Sequence, residues 1–378
     1  MPTSKPKVLI IENSIDVTGA LKSVARTAFD LSAFYEFVFI IPTGSKARAW
    51  IEGKRFSNVY ELPMRELSRS IVSLVKYFPY LFVNAFQLRR IVKQENVMLI
   101  HVNDIYNMLP LALRILGSKT PYICHVRFLP DRFPNLLFGF WLKLHLKCAE
   151  RLVAVSESVR AQLPPHEKIV VIHNELPVEE RYERTLKKED TYSKTFLYLS
   201  NFMNGKGQNF AIDAFSRVHG QLPGWKLRLV GGDMGLAKNM KFREYLKELA
   251  VSLGVSHKLE WSDFTEDVER EYKLADIVLN FSESESFSIT CLEALFFGRP
   301  LIVTDCGGPA EIVNHQITGL LIPNRDVQAM AQNMLALALD AQMREMLSRN
   351  GADTVRKKFN LENTSLRLKA VYDTALAI

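Results

Sequence analysis

The chain has 378 residues, 48% hydrophobic and 24% charged, with a net charge of +7. It can bury a large core, and a length well past ~250 residues points to a soluble, folded, two-domain protein of enzyme size. Cys124, Cys148, Cys291 and Cys306 stand far apart with no CxxC pair, which argues against a zinc site, a redox dithiol or a disulfide framework and fits a reducing compartment.

The charge is uneven: residues 1–175 carry 23 Lys/Arg against 14 Asp/Glu, and residues 176–378 carry 25 against 27. The basic excess suggests an anionic partner for the N-terminal half, with a solvated basic surface as the equal alternative. MPTSKPKVLIIE has a short apolar stretch and no small-residue cleavage site, so it reads as a first strand and not a signal peptide, and a cytoplasmic location is expected.

After that strand, ENSIDVTGALKS holds one glycine, Gly19, before a helix, a position that suits a turn as well as a ligand contact. Arg65, Arg69, Lys76, Arg89, Arg90 and Lys93 interleave with Tyr77, Phe78, Tyr80, Phe82 and Phe86. With Lys76 and Pro79 interrupting it, this stretch is too short for the ~20 apolar residues of a membrane span. It suits either an anionic membrane surface, with RFPNLLFGFWLKLHLK adding to it, or the outer face of the first sheet. No nucleic-acid-binding pattern accompanies the basic residues. MLIHV and PYICHV end near His101 and His125, and a histidine at a strand's carboxyl end can face a ligand cleft.

Strand-like runs alternate with helical stretches throughout: KVLIIE, EFVFII, NVYEL, MLIHV, PYICHV, RLVAV and KIVVIH, then TFLYLS, WKLRLV, HKLEW, DIVLN, LIVT and GLLIP. The alternation predicts parallel α/β sheets. Between His173 and Thr195 it stops in a charged stretch. The predicted organisation is therefore an α/β domain at 1–175, a linker at 176–194 and a second α/β domain at 195–360. Helices fill the sequence from Asp326 onward and are expected to finish the second domain, with the last one, 361–378, also available to pack back on the first domain. Ligands of such sheets bind at the carboxyl ends of the strands, and a cleft between the domains is the expected site.

Four segments of the second half carry candidate chemistry. In YLSNFMNGKGQNFAIDAF a strand runs through Asn201 into Lys206-Gly207 and then a helix; WKLRLVGGDMG turns at Gly231; Ser262-Asp263-Phe264-Thr265 follows HKLEW. The fourth, ESFSITCLEALFFGRPLIVTDCGGPAEIV, places Glu285 in a strand-to-helix loop and Glu293 inside the helix. A carboxylate can accept two sugar hydroxyls, and free N–H groups at a helix start can hold a diphosphate.

The fourth segment resembles the family 4 glycosyltransferases (glycosyl transferases group 1), through its E-x7-E spacing and the downstream Gly298, Pro300, Gly307, Gly308 and Glu311. The resemblance implies the GT-B fold, α/β with two facing Rossmann-like domains and an inter-domain cleft. It also implies a retaining transfer from a nucleoside diphosphate sugar, UDP- or GDP-linked, to a glycan or polyprenyl-linked acceptor in cell-surface polysaccharide assembly. It assigns the transferred sugar to Glu285 and the ribose to Glu293. The phosphates fall to Lys206, Gly207 and the backbone of Ser286, Phe287, Ser288 and Ile289. Gly231 is assigned to the nucleotide turn, Phe264 to the base, and Gly19 and His125 to the acceptor side, with His101 as the competing histidine.

The family often has glycine where this chain has Ser286 and Ser288, implying a tighter loop or an altered sugar preference. Asn201 stands where an arginine is typical. No metal or cofactor is implied. The alternatives are another GT-B enzyme, such as a sugar-nucleotide epimerase or a phosphorylase, and a non-catalytic two-domain sugar-binding protein.

Overall fold

The computed structural model describes residues 5–64, 71–176 and 193–377. Its chain divides into two compact units: Met1–Glu175 with Leu361–Ile378, and Leu176–Asn360. Most of the expected linker, residues 177–192, lies outside the described residues, as do Arg65 and Arg69.

In the first unit, β1 (Lys7–Ile11), β2 (Glu36–Pro42), β3 (Val59–Leu62), β4 (Val97–Val102), β5 (Tyr122–Val126), β6 (Arg151–Ala154) and β7 (Ile169–Val171) form one sheet in the order β3-β2-β1-β4-β5-β6-β7. Every pairing is parallel. Helices cover such a sheet on both faces, so its strands are mostly apolar along their length instead of alternating. All five residues of β5 are buried, His125 among them. The helix Leu361–Leu376 belongs to this unit and places Leu368, Val371 and Tyr372 in its core with Leu99 and Ile123.

The second unit repeats the plan with β8 (Thr195–Leu199), β9 (Lys226–Val230), β10 (Leu259–Ser262), β11 (Ile277–Asn280), β12 (Leu301–Thr304) and β13 (Leu320–Ile322) in the order β10-β9-β8-β11-β12-β13, again all parallel. Its core gathers Phe196, Phe215, Trp225 and Phe281 with Met330 and Met334. In both sheets the strand order reverses beside the first strand, between β1 and β4 and between β8 and β11. Such reversal points open a crevice at the carboxyl ends, because the two adjoining connections leave in opposite directions.

The basic and aromatic stretch forms one helix, Ile71–Gln94, running through Pro79. Proline removes one backbone hydrogen bond from a helix, and the buried contacts of Leu81, Asn84, Ala85 and Leu88 hold this helix beyond it. Among the described residues no helix is long and apolar enough to cross a membrane.

Candidate functional site

The loops leaving β8 and β11 are sewn together at the second sheet's reversal point. The buried Tyr198 hydroxyl donates to the Lys206 carbonyl and accepts from the Phe281 N–H at 2.7 Å. Glu283 N donates to Gly205 O at 2.9 Å. Gly207 caps the following helix at φ +78°, and a Cβ there would stand 2.0 Å from Phe281 O, so glycine serves both the left-handed backbone and the close approach.

This stitching delivers Lys206 Nζ to 2.5 Å from Glu285 Oε1, both side chains partly buried, and Ser282 Oγ donates to the same oxygen at 3.1 Å. The sequence assigned Lys206 and Glu285 to different parts of a ligand; the structure makes them partners. Glu285 is itself pinned by the GG pair, its N–H donating to Cys306 O (3.0 Å) and its carbonyl accepting from Gly308 N (2.8 Å).

Ser286, Phe287 and Ser288 lead into the helix Ile289–Phe296. Phe287 is 2% exposed and packs on Phe359, so only its backbone is available to a ligand. Ser288 adopts φ +94°, the left-handed conformation that suits glycine and strains other residues. Its hydroxyl, receiving Asn280 Nδ2 (3.0 Å) and lying 3.1 Å from Cys291 Sγ, holds it there. The serine thus keeps the backbone shape that glycine would give.

Glu293, one turn on, accepts from the Tyr272 hydroxyl at 3.0 Å. Burial pushes the Tyr272 phenol well above its usual range, and the nearby Glu293 adds to this, so the phenol keeps its proton and the bond orients the carboxylate.

Asn201 at the exit of β8 accepts from Gly232 N at 3.3 Å through its side-chain oxygen. A Cβ on Gly231 would stand 2.0 Å from Ser200 O, so the two strand exits meet because Gly231 has none. Phe264 is 59% exposed, and its Cβ would lie 3.2 Å from a Cβ on Gly232. Asn201, Gly231 and Phe264 therefore form one cluster. Arg243, which the sequence reading missed, stacks on Phe202 at 4.8 Å and pairs with Asp263 at 2.7 Å beside it.

At the reversal point of the first sheet the structure gathers more polar groups than the sequence singled out. Glu12, the first residue after β1, accepts from Asn13 N (2.9 Å), Ser14 N (2.8 Å) and Ser14 Oγ (2.6 Å), and from Asn103 Nδ2. Arg127, 7% exposed, donates through Nε to Asn103 Oδ1 (2.7 Å) and through Nη1 to Asn174 Oδ1 (3.0 Å). Burial pushes the Asp104 carboxyl well above its usual range, against the pull of Arg127. The available signal was position: Glu12, Asn103-Asp104 and Arg127 are the first polar residues beyond β1, β4 and β5.

Gly19 opens the helix Gly19–Asp30 behind Thr18, whose hydroxyl caps Leu21 N at 3.2 Å and lies 3.1 Å from Ser14 Oγ. The two candidate histidines are in contact, His101 Nε2 standing 2.5 Å from His125 Nδ1. Burial, with Arg127 adding to it, pulls His101 down to about 3 and His125 well below the usual histidine value; both rings are neutral at pH 7. Among the described residues no three His, Cys, Asp or Glu side chains form a group that could hold a metal ion.

Residues 180–354 match the family described as Glycosyl transferases group 1, and residues 37–180 match Glycosyltransferase Family 4. The chain is 27% identical over 245 residues to an uncharacterized glycosyltransferase of Methanocaldococcus jannaschii, a match spanning 60% of either protein. It is 22% identical over 337 residues to the N-acetyl-alpha-D-glucosaminyl L-malate synthase of Bacillus anthracis, covering 84% of this chain and 85% of that one. The crystal structure of Anabaena HepE in complex with UDP-glucose matches 97% of this chain and 99% of its own with a TM-score of 0.80 at 17% identity. The two parallel sheets with their reversal points are the GT-B fold. With adjoining family matches from residue 37 to residue 354, and with Lys206, Glu285 and Glu293 grouped at the second sheet, the chain belongs to glycosyltransferase family 4, the glycosyl transferases group 1.

Proposed function

We propose that the protein transfers a sugar, with retained anomeric configuration, from a nucleoside diphosphate sugar to a glycan or lipid-linked acceptor in cell-surface polysaccharide assembly. The observation that carries this reading is the Lys206–Glu285 pair at the second sheet's reversal point, one helical segment from Glu293. The departing diphosphate gains negative charge as the glycosidic bond breaks. Lys206 Nζ and the N–H groups at the start of Ile289–Phe296 are fixed donors for that charge. Glu285 holds the sugar hydroxyls, Glu293 the ribose, Asn201 a diphosphate oxygen as a hydrogen-bond donor, and Phe264, beside the Gly231 turn, the base. His125, in the first unit, serves the acceptor side. A UDP-linked donor is favoured over GDP, because Anabaena HepE, a protein of the same fold, holds UDP-glucose.

The test is donor binding and turnover. Glu293→Ala should weaken the nucleotide sugar at least tenfold, the worth of a hydrogen bond to a charged group; donor binding equal to wild type would remove the ribose role. A melting-temperature screen across UDP, GDP and ADP sugars identifies the base, since a ligand of the native state raises the midpoint. Product analysis with donor alone, and then with phosphate, separates transfer from epimerase or phosphorylase chemistry.

The protein also binds peripherally at the inner face of the cell membrane in this proposal. On the helix Ile71–Gln94, Phe78 is 56%, Phe82 39%, Val83 49% and Phe86 54% exposed, followed by Arg89, Arg90 and Lys93. The helix Asn135–Cys148 exposes Leu136 and Phe140 beside Lys143 and Lys147. Apolar side chains rimmed by cations match an anionic bilayer surface. The protein should float with anionic vesicles and be released by salt, and a Phe78/Phe82/Phe86→Ser variant should not float. Equal recovery of both in the soluble fraction would refute membrane binding.

A further inference from the structure

The helix Leu361–Leu376 contributes a buried hydroxyl to the histidine pair of the first unit. Tyr372 OH lies 2.7 Å from His101 Nδ1, and His101 Nε2 lies 2.5 Å from His125 Nδ1, with the ring centroids 4.7 Å apart and their planes 27° apart. Three groups in a line, all shielded from water, leave few places for protons. Two neutral imidazoles that share one hydrogen bond have two arrangements: either His101 donates to His125 or the reverse. Whichever holds, the proton on the outer nitrogen of each ring is settled at the same time.

Tyr372 breaks the tie. Burial keeps its phenol protonated far above neutral pH. Among the described residues its hydroxyl has one hydrogen-bond partner, His101 Nδ1. If that nitrogen carried a proton, the hydroxyl would accept it, and its own proton would be left buried without an acceptor, which is costly in a low-dielectric interior. The favoured arrangement has Tyr372 donating to His101 Nδ1, His101 Nε2–H donating to His125 Nδ1, and the proton of His125 on Nε2. Arg127 is the charge facing all three groups, and its field disfavours imidazolium, so the chain stays neutral and its polarity stays defined. Among the described residues His125 Nε2 has no hydrogen-bond partner.

We infer that Tyr372 and His101 are positioning residues that fix the tautomer of His125, presenting Nε2–H as a hydrogen-bond donor and denying His125 the role of general base. The inference rests on the acceptor-side reading of His125 for its catalytic meaning. The tautomer itself is a property of the protein without substrate. His125 would then hold an oxygen of the sugar or the phosphate and take no proton from the attacking hydroxyl.

The experiment is a long-range proton–nitrogen correlation spectrum of the full chain with 15N-labelled histidine, with wild type, Tyr372→Phe and His101→Phe compared. In wild type the His125 signals should show a bare Nδ1 and a protonated Nε2 that hold from pH 8 to pH 5. Either variant should populate the opposite tautomer and lower kcat about tenfold, with the KM for donor unchanged and the melting transition still cooperative. A protonated His125 Nδ1 in wild type would overturn the proposal, as would variants with wild-type nitrogen signals. Turnover by His125→Ala is measured alongside. Full activity there would remove the acceptor-side reading while the ring-nitrogen signals still judged the relay, so the two failures are distinguishable.

Discussion

Lys206→Ala is expected to lower kcat/KM by about a hundredfold to a thousandfold, the loss typical of removing one fixed donor from developing oxyanion charge, while shifting the melting temperature little. One ion pair has two separable roles here, in catalysis and in stability. Lys206 and Glu285 meet at 2.5 Å, with 24% and 16% of their side chains exposed. A pair that is still partly solvated contributes only about 0–1 kcal/mol to stability. Glu285 also keeps Ser282 Oγ when the lysine is lost, so no bare carboxylate is left in the interior. Lys206→Arg should retain part of the activity, because the charge remains and the fork geometry differs. Initial rates with a nucleotide sugar and the melting curve of each variant measure both effects. A Lys206→Ala enzyme with wild-type turnover and a lowered melting temperature would make the lysine a structural residue.

Gly308→Ala is the corresponding expectation for stability. A Cβ at Gly308 would meet Phe287 Cα at 2.2 Å, its N at 2.4 Å and its O at 2.5 Å. These are backbone atoms, and Phe287 cannot retreat because its ring is packed on Phe359. The substitution must push the loop Glu285–Ser288 away from the following turn and break the 2.8 Å bond from Gly308 N to Glu285 O. Overpacking of this kind costs about 1–3 kcal/mol and more where backbone must move, and the displaced loop is the one that bears the donor groups. Stability and donor affinity should fall together. Gly139→Ala serves as the control: a Cβ there meets nothing within 4 Å, and alanine is the better helix former by about 1 kcal/mol. If Gly308→Ala unfolded at the wild-type denaturant concentration, the GG pair would be an ordinary turn.

The strands of both sheets, seven and six, were legible in order from the sequence, with ends displaced by a residue or two. Parallel strands covered on both faces read as near-continuous apolar runs, and that requirement is written locally. The E-x7-E segment was legible for a similar reason: Glu285, Ser288 and Glu293 belong to one loop and one short helix, so spacing alone places them together. The loop's left-handed turn at Ser288 was not visible, because the sequence carries serine where the conformation favours glycine, and the hydrogen bonds that hold it come from Asn280 and Cys291 in the folded loop.

By itself, then, the sequence determined the alternating elements, the family motif and the positions at which polar residues leave the strands. The tertiary structure alone decided which of those residues meet. Lys206 and Glu285 are 79 positions apart, and His101 and Tyr372 are 271 apart. The first pair depends on β8 and β11 lying side by side, the second on the last helix returning to the first sheet. Two histidines that compete as candidates in the sequence are one hydrogen-bonded unit in the fold, because β4 and β5 are neighbours and His101 lies opposite Ile123, two residues before His125 and so on the same face of the sheet. Local periodicity records which face of an element is buried. It does not record strand order, and strand order sets every contact between the loops that make the site.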